Sequence, residues 1–181
     1  CDELKLNTPI VAVNGSEVWK APRQLMKRRL LDVESVRAMH GLAVRYDTWF
    51  WAYAVSGVFN KETWTGDLDS EEWLKFGFHT DDDEKRARII EWLQEQGKYE
   101  VTNSHPHNLE INPKGISKAS GIREVCQWLG IQMSEVVAMG DSLNDMAMIR
   151  EAGLGVAMGN AQDALKAAAD LLTVTNDEHA V

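Results

Sequence analysis

The chain has 181 residues, of which 44% are hydrophobic and 26% charged, and its formal net charge is −9. This acidic balance argues against a nucleic-acid partner, because nucleic-acid binding requires a concentrated basic surface. No apolar run approaches the roughly 18–20 residues that span a bilayer, so no membrane association is expected. The two cysteines, Cys1 and Cys126, do not make a disulfide framework, which favours a reducing, cytoplasmic location.

The first predicted element is a buried strand at residues 9–13 that ends in the turn Asn14-Gly15. We expect this strand to join the same sheet as the strands near the end of the chain. The basic run Lys27-Arg28-Arg29 is interpreted as a solvated helix face. Because the strand at residues 9–13 is expected in the sheet of the later strands, residues 1–16 are assigned to a core domain.

Residues 17–111 differ in composition from the rest and are predicted to form an inserted mixed α/β domain. Of the 7 Trp, 3 Tyr and 4 Phe, only Trp128 follows residue 100. Alternation over residues 48–59 predicts a strand, with Trp49 and Trp51 on one face. We interpret these two side chains as core of the insertion, with a substrate platform as the alternative. Residues 81–96 predict a helix, and residues 99–102 and 108–111 an antiparallel pair.

Residues 112–181 return to the core domain and read as alternating helices and short buried strands. Strands are predicted at 136–139, 154–158 and 171–174, and helices at 117–129, 146–152 and 161–170. Cys126 falls on the apolar face of the first helix and is expected in the core. Strand–helix–strand at this spacing predicts a parallel sheet with right-handed crossovers.

The most informative motif is Gly140-Asp141-Ser142-Leu143-Asn144-Asp145, which directly follows a predicted buried strand. The carboxyl ends of parallel strands are where open α/β sheets bind ligands. Carboxylates placed there suit Mg²⁺, which prefers oxygen ligands and commonly brings phosphate with it. Lys118, at the start of a predicted helix, is electrostatically unfavourable unless an anion binds nearby.

Four motifs in this order together resemble the Cof-type haloacid-dehalogenase-like (HAD superfamily) phosphatases. They are Asn14-Gly15, Gly115-x-Ser117-Lys118, Gly140-Asp141-x-x-Asn144-Asp145 and Ala157-Met158-Gly159-Asn160-Ala161, and Thr175-Asn176-Asp177-Glu178 also matches. The resemblance implies an α/β fold with a Rossmannoid parallel-sheet core, here incomplete, and an inserted mixed α/β cap. It also implies an Mg²⁺-dependent phosphatase that hydrolyses small, sugar phosphate-like metabolites through an aspartyl-phosphate.

The same resemblance implies roles for individual residues. Asp141 would bind the metal, with Ser142 as a further possible ligand, and Asn144 would contact the phosphoryl group. Lys118 would neutralise the phosphoryl oxygens, and Asp145 would orient the lysine or the metal's water shell. Asn14 and Asn160 are candidate substrate-rim residues, and a role as turn formers is an equally good interpretation.

The chain departs from the family pattern in one respect. The family's nucleophilic Asp lies in a D-x-D motif after the first strand, upstream of the strand predicted at residues 9–13. The pairs Asp67-Leu68-Asp69 and Asp81-Asp82-Asp83 have the spacing but follow no apolar strand. We therefore expect the nucleophile to be absent from this chain and the 181 residues alone to be inactive. A non-catalytic phosphometabolite-binding pseudoenzyme is the alternative, and the sequence leaves the oligomeric state open.

Overall fold

The computed structural model describes residues 7–64 and 67–180, and the chain divides into two compact units. The split unit comprises Cys1–Met26 and Ser117–Val181, and the inserted unit comprises Lys27–Ile116. The sequence placed these boundaries after residues 16 and 111, earlier in both cases. Within the described residues the elements are, in chain order, β1 (Ile10–Ala12), β2 (Glu17–Ala21), β3 (Gln24–Arg28), α1 (Val33–Arg45), β4 (Trp49–Ala54), β5 (Val58–Asn60), β6 (Trp73–His79), α2 (Asp83–Gln96), β7 (Tyr99–Thr102), β8 (Asn108–Pro113), α3 (Lys118–Leu129), β9 (Val137–Gly140), α4 (Met146–Glu151), β10 (Leu154–Ala157), α5 (Asp163–Lys166) and β11 (Leu171–Leu172).

The later strands of the chain form the predicted parallel sheet, in the order β11-β10-β9. The expectation that the first strand joins this sheet is wrong for the described residues, since β1 pairs antiparallel with β2 in a separate sheet, β1-β2-β3. The reversal occurs at Val13, Asn14 and Gly15, whose φ angles are 50°, 55° and 98°. Glycine and asparagine tolerate such positive angles, so this turn returns the chain beside β1.

Two other local predictions are corrected in this part of the chain. Lys27 and Arg28 belong to β3 and not to a helix face. The Ala-rich helix predicted at 161–170 is shorter, because α5 covers only Asp163–Lys166. Beyond it, Asp170 exchanges two hydrogen bonds with Gly155 of β10, from its backbone N to the glycine O (2.8 Å) and from the glycine N to Asp170 Oδ2 (2.8 Å). These tertiary bonds outweigh the helix propensity of alanine.

The helices α3 and α4 follow their predicted ranges closely. Ser117 caps α3, accepting a hydrogen bond from the backbone N of Ser120, while Ser120 Oγ accepts one from the backbone N of Ser117. Gly130 ends the helix at a φ of 74°, as glycine commonly does. Cys126 is buried, as predicted.

The inserted unit is a five-stranded sheet in the order β5-β4-β6-β8-β7, in which neighbouring strands pair antiparallel. The strand predicted at 48–59 is a hairpin of β4 and β5, and the pairing of β7 with β8 is confirmed. Neither α1 nor β6 was predicted. Both contribute to one apolar cluster, whose fully buried members include Val36, Met39, Phe76, Phe78, Ile89 and Leu93.

The two tryptophans of β4 lie outside this cluster, so their interpretation as core of the insertion is wrong. Phe50 and Ala52 face the apolar cluster. Successive strand residues point to opposite faces, and Trp49 is accordingly 39% exposed. Trp51 covers Gly77 of β6, where a Cβ would lie 2.3 Å from the indole ring.

None of the helices in residues 7–64 and 67–180 is long and apolar enough to cross a membrane.

Close packing of α3 on β1 gives a first prediction. A Cβ at Gly121 would lie 2.4 Å from Val11 Cγ1, so Gly121→Ala should lower the free energy of unfolding by about 1–3 kcal/mol through overpacking. The measurement is urea denaturation. In the background of Val11→Ala, which removes the clashing methyl groups, the same change should cost much less.

Gly41→Ala is the matched control, because Gly41 is also helical and a Cβ there would meet nothing within 4 Å. It should raise the free energy of unfolding by roughly 0.5–1 kcal/mol. Equal stabilities for the two alanine variants would contradict the proposed packing.

Candidate active site

The site is built on the turn that follows β9. This strand ends at Gly140, a 3-10 helix covers Leu143–Asp145, and α4 begins at Met146. The turn folds back so tightly that a Cβ at Gly140 would lie 2.5 Å from the Cβ of Asp145. Glycine is therefore required at 140 for the Asp145 side chain to occupy its position.

The Asp145 carboxylate is the buried centre of this turn. Its side chain is 4% exposed, and Oδ1 accepts a hydrogen bond from Lys118 Nζ at 2.6 Å. Oδ2 accepts hydrogen bonds from the backbone N of Asp141 (3.1 Å) and of Ser142 (3.2 Å). Both oxygens are thus occupied, and the carboxylate ties the α3 terminus to the loop after β9.

Lys118 is the first residue of α3, where the helix dipole disfavours a cation. Asp145 compensates that unfavourable position with a charge-assisted hydrogen bond. The Lys118 side chain is fixed by the carboxylate at its ammonium and is 33% exposed overall. The turn after β1 lies beside the same helix terminus, because a Cβ at Gly15 would lie 2.1 Å from Ser117 O.

Asp141 differs from Asp145 in its surroundings. It is half-buried, and its Oδ1 accepts a hydrogen bond from Ser142 Oγ at 3.0 Å. Its backbone O accepts a hydrogen bond from Gln162 N (2.9 Å), which joins the loop after β9 to the start of α5. Asp141 is therefore held by two hydrogen bonds, one to its side chain and one to its backbone, and the residue remains partly exposed.

The oxygen atoms of Asp141 and Ser142 suit a magnesium ion, which keeps waters among its ligands, better than a metal that is coordinated by protein side chains alone. Among residues 7–64 and 67–180, no group of three His, Cys, Asp or Glu side chains could hold a metal ion. Mg²⁺ commonly retains several waters and binds through one or two carboxylates together with substrate phosphate. Asp141, half-buried and hydrogen-bonded to the Ser142 hydroxyl, fits that pattern, and Lys118 is tied to the same turn through Asp145.

The structure brings most of the predicted site residues into one place. Lys118, Asp141, Ser142 and Asp145 are linked by direct hydrogen bonds, and Asn144 lies in the same turn, buried. Their chemical roles stay predictions.

The two candidate rim residues both occupy turns. Asn14 has a φ of 55° in the reversal after β1. Asn160 is exposed, and its Oδ1 accepts a hydrogen bond from the backbone N of Asn176 at 3.1 Å. The turn-forming interpretation accounts for both, and a substrate contact stays a prediction.

The two pairs with nucleophile-like spacing serve other purposes. Both lie in the inserted unit, whereas Lys118 and Asp141 lie in the split unit. Asp69 pairs with Arg37 at 3.3 Å, Asp82 caps α2, and Asp83 forms an ion pair with Arg86. Sequence reasoning missed the supporting roles of Gly15 and Ser120. Ser120 could have been found from its spacing of three residues after Ser117.

Comparison with known proteins supports the expectation drawn from these motifs. The family model for haloacid dehalogenase-like hydrolases matches residues 55–181. The 5-amino-6-(5-phospho-D-ribitylamino)uracil phosphatase YcsE of Bacillus subtilis is 46% identical over 180 residues, which is 99% of this chain and 72% of that protein. Phosphatase YwpJ of the same organism is 44% identical over 81 residues, or 45% of this chain and 28% of its own length.

The fold agrees with that of solved members. A haloacid dehalogenase-like hydrolase from B. subtilis superimposes with a TM-score of 0.89 at 20% identity, covering 99% of this chain and 79% of the other. A second, from Bacteroides thetaiotaomicron, gives a TM-score of 0.73 at 29% identity over 96% and 74% of the two chains. The predicted fold class and the assignment as a phosphoric monoester hydrolase are confirmed, and the chain belongs to the haloacid dehalogenase-like hydrolase family.

Proposed function

We propose that the turn around Asp141 and the ammonium of Lys118 form the metal and phosphoryl site of an Mg²⁺-dependent phosphatase. The observation that carries this proposal is the 2.6 Å hydrogen bond between Lys118 and Asp145. It fixes a cation to the turn that carries Asp141, at the carboxyl end of β9. Phosphoryl transfer depends mainly on positioning and charge stabilisation, and these residues can supply both.

Each residue has a distinct part in this proposal. Asp141 would hold Mg²⁺, with Ser142 as a further oxygen ligand, and the bound ion would neutralise charge on the phosphoryl oxygens. Lys118 would donate hydrogen bonds to the same oxygens, and its hydrogen bond to the Asp145 carboxylate would hold the ammonium in position. Asn144 would contact the phosphoryl group from the same turn.

The attacking group would be a further carboxylate, which forms an aspartyl-phosphate as the bond from phosphorus to the substrate oxygen breaks and the alcohol leaves; water would then cleave the aspartyl-phosphate to inorganic phosphate and the free carboxylate. Asp145 is unsuited to this step, because Lys118 and two backbone amides occupy its oxygens. Asp141 is unsuited because the proposal assigns it to the metal. The nucleophile would therefore come from outside the turn after β9.

The substrate class is proposed to be small phosphorylated metabolites. The B. subtilis relative that is 46% identical over 99% of this chain is named for a ribityl phosphate attached to an aminouracil. We therefore propose 5-amino-6-(5-phospho-D-ribitylamino)uracil as the first substrate to assay. A phosphorylated polyol of this kind agrees with the sugar phosphate-like substrate expected from the motifs.

The central prediction concerns activity of the natural full-length protein that contains this chain. Phosphate release from the ribitylaminouracil phosphate, and from a generic aryl phosphate, should require added Mg²⁺ and stop with a chelator. Lys118→Ala and Asp141→Asn should each lower kcat by on the order of 10²–10³-fold, since each removes charge stabilisation from the transition state.

Asp163→Asn is the matched control, because Asp163 is an exposed acid at the start of α5 in the same unit. It should leave kcat unchanged. Saturable substrate binding without turnover, in a full-length protein that carries a D-x-D motif, would instead favour the pseudoenzyme.

A second prediction separates the structural effect of the ion pair from its chemical one. Lys118→Met leaves the Asp145 carboxylate buried without its cation, which should lower the free energy of unfolding by about 1–3 kcal/mol. In the background of Asp145→Asn the same change should cost clearly less, and the difference measures the coupling between the two residues.

Lys85→Met in α2, on the inserted unit, is the control for loss of a lysine charge and should be nearly neutral. Additive costs for the Lys118 and Asp145 changes would show that this ion pair does not form in solution.

A further inference from the structure

The turn of residues 158–161, which follows β10, is hydrogen-bonded to the loop that carries Asp141. At its start, Met158 N donates a hydrogen bond to Gly140 O at 3.0 Å. Just beyond its end, Gln162 N donates a hydrogen bond to Asp141 O at 2.9 Å. The 158–161 turn therefore holds two consecutive carbonyl groups of the loop, one on each side of the Asp141 α-carbon.

The same turn is also hydrogen-bonded to the segment that follows β11. Gly159 N donates a hydrogen bond to Val174 O at 2.9 Å. Asn160 Oδ1 accepts a hydrogen bond from Asn176 N at 3.1 Å. The two stretches of backbone lie close together, because a Cβ at Gly159 would lie 2.9 Å from Thr175 N. The 158–161 turn thus connects the segment after β11 to the loop after β9.

The Asn160 side chain makes a long-range bond and not the local one that is typical of a turn residue. Asparagine in a turn commonly hydrogen-bonds to the backbone two residues further on. Asn160 instead accepts its hydrogen bond from a residue 16 positions along the chain. The residue is exposed, so close packing does not explain an asparagine at this position. The link from its side-chain oxygen to the segment after β11 does explain it.

The segment that donates this bond is itself ordered by local hydrogen bonds. A 3-10 helix covers Asn176–Glu178 directly after Thr175. Glu178 Oε2 accepts hydrogen bonds from Thr175 N at 3.1 Å and from Thr175 Oγ1 at 2.8 Å. The backbone N of Asn176 therefore has a defined position, and its bond restrains Asn160.

We propose that Asn160 is a positioning residue for Asp141. Its bond to Asn176 N restrains the 158–161 turn, and the turn restrains the loop after β9. This inference rests on the proposed function, in which the Asp141 carboxylate holds Mg²⁺. A carboxylate that is held in place before the ion arrives binds it more tightly, because less conformational freedom is lost on binding. Asn160 acts through the backbone in this role and contacts neither the ion nor the substrate.

The first test is amide hydrogen exchange in the natural full-length protein labelled with ¹⁵N. Asn160→Ala removes the acceptor, so the amides of Asn176 and Gln162 should exchange at least about fivefold faster than in the wild type. The Asn176 amide reports the bond itself, and the Gln162 amide reports its effect on the loop that carries Asp141. Amides of β10 should exchange at the wild-type rate, because the sheet stays intact. Asn160→Asp keeps an acceptor oxygen and should return the Asn176 and Gln162 amides to the wild-type rates.

The second test is Mg²⁺ binding, followed through the chemical shifts of the Asp141 and Ser142 amides. Asn160→Ala should raise the dissociation constant for Mg²⁺ about three- to tenfold, the range that corresponds to one lost hydrogen bond. At saturating Mg²⁺, kcat of this variant should stay close to that of the wild type, because the carboxylate and the ammonium of the phosphoryl site are unchanged.

Asn176→Ala is the matched control. It removes an exposed asparagine side chain from the other partner of the same bond, but it keeps the backbone N that donates to Asn160. The exchange rate of the Gln162 amide and the dissociation constant for Mg²⁺ should both match the wild-type values.

Two results would overturn the inference. The first is a wild-type exchange rate at Gln162 in the Asn160→Ala protein, which would show that this side chain does not restrain the loop. The second is a dissociation constant for Mg²⁺ that stays unchanged in Asn160→Ala or rises equally in Asn176→Ala. A wild-type protein without Mg²⁺-dependent phosphate release would instead contradict the proposed function. The exchange rates would still decide whether Asn160 restrains the loop, because they are measured without Mg²⁺ and without turnover.

Discussion

The Asp145 carboxylate is the constraint on which the candidate site depends. A buried anion is tolerated only when its charge and hydrogen-bonding capacity are satisfied. Here one cation and two backbone amides meet that requirement. The same three bonds set the conformation of the loop after β9 and the position of the Lys118 ammonium. Local stability and the placement of a chemically useful cation therefore have a single cause.

Asp141 and Asp145, the two acids of the turn after β9, differ in burial and in hydrogen bonding. Asp145 is enclosed and hydrogen-bonded on both oxygens, which supports the positioning role proposed for it. Asp141 is half-buried, and the hydrogen bond from Ser142 Oγ engages its Oδ1, an environment that supports the proposed role as a metal ligand. Two carboxylates four positions apart thus acquire different uses because the backbone amides of the turn point at Asp145.

Much of the site could be predicted from the sequence, because its signals are local. Gly-Asp after a strand and a lysine at a helix start are short-range patterns, and Lys118 does contact Asp145, which is one of the two alternatives that the family resemblance implied for Asp145. The errors arose where pairing or packing partners are distant along the chain. The prediction that the first strand joins the parallel sheet fails because an apolar run does not identify the strand with which it pairs. The prediction that Trp49 and Trp51 lie in the core fails because period-two spacing identifies a shared face of the strand without showing which face is buried.

Two elements of the inserted unit, β6 and α1, also escape prediction from local sequence patterns. The strand β6 is buried along nearly its whole length, including Lys75, which pairs with Glu110 at 3.3 Å. A lysine and a glycine inside the strand break the alternation by which half-buried strands are recognised. Helix α1 went unnoticed although Asp32 caps it, accepting a hydrogen bond from the backbone N of Ser35 at 2.8 Å. Its apolar face became evident only with the sheet that it covers.

The division of one unit into two chain segments has a consequence for the order of folding. The two segments of the split unit come together only after the inserted unit, residues 27–116, has been looped out, and closing so long a loop carries an entropic cost. The intervening residues have their own sheet and apolar cluster and can condense first. Once the inserted unit has folded, the distance between its first and last residues is fixed, and the loop that remains to be closed is therefore shorter. We therefore expect the turn that contains Asp141 and Asp145 to assemble with α3 and β1 only after the inserted unit has folded.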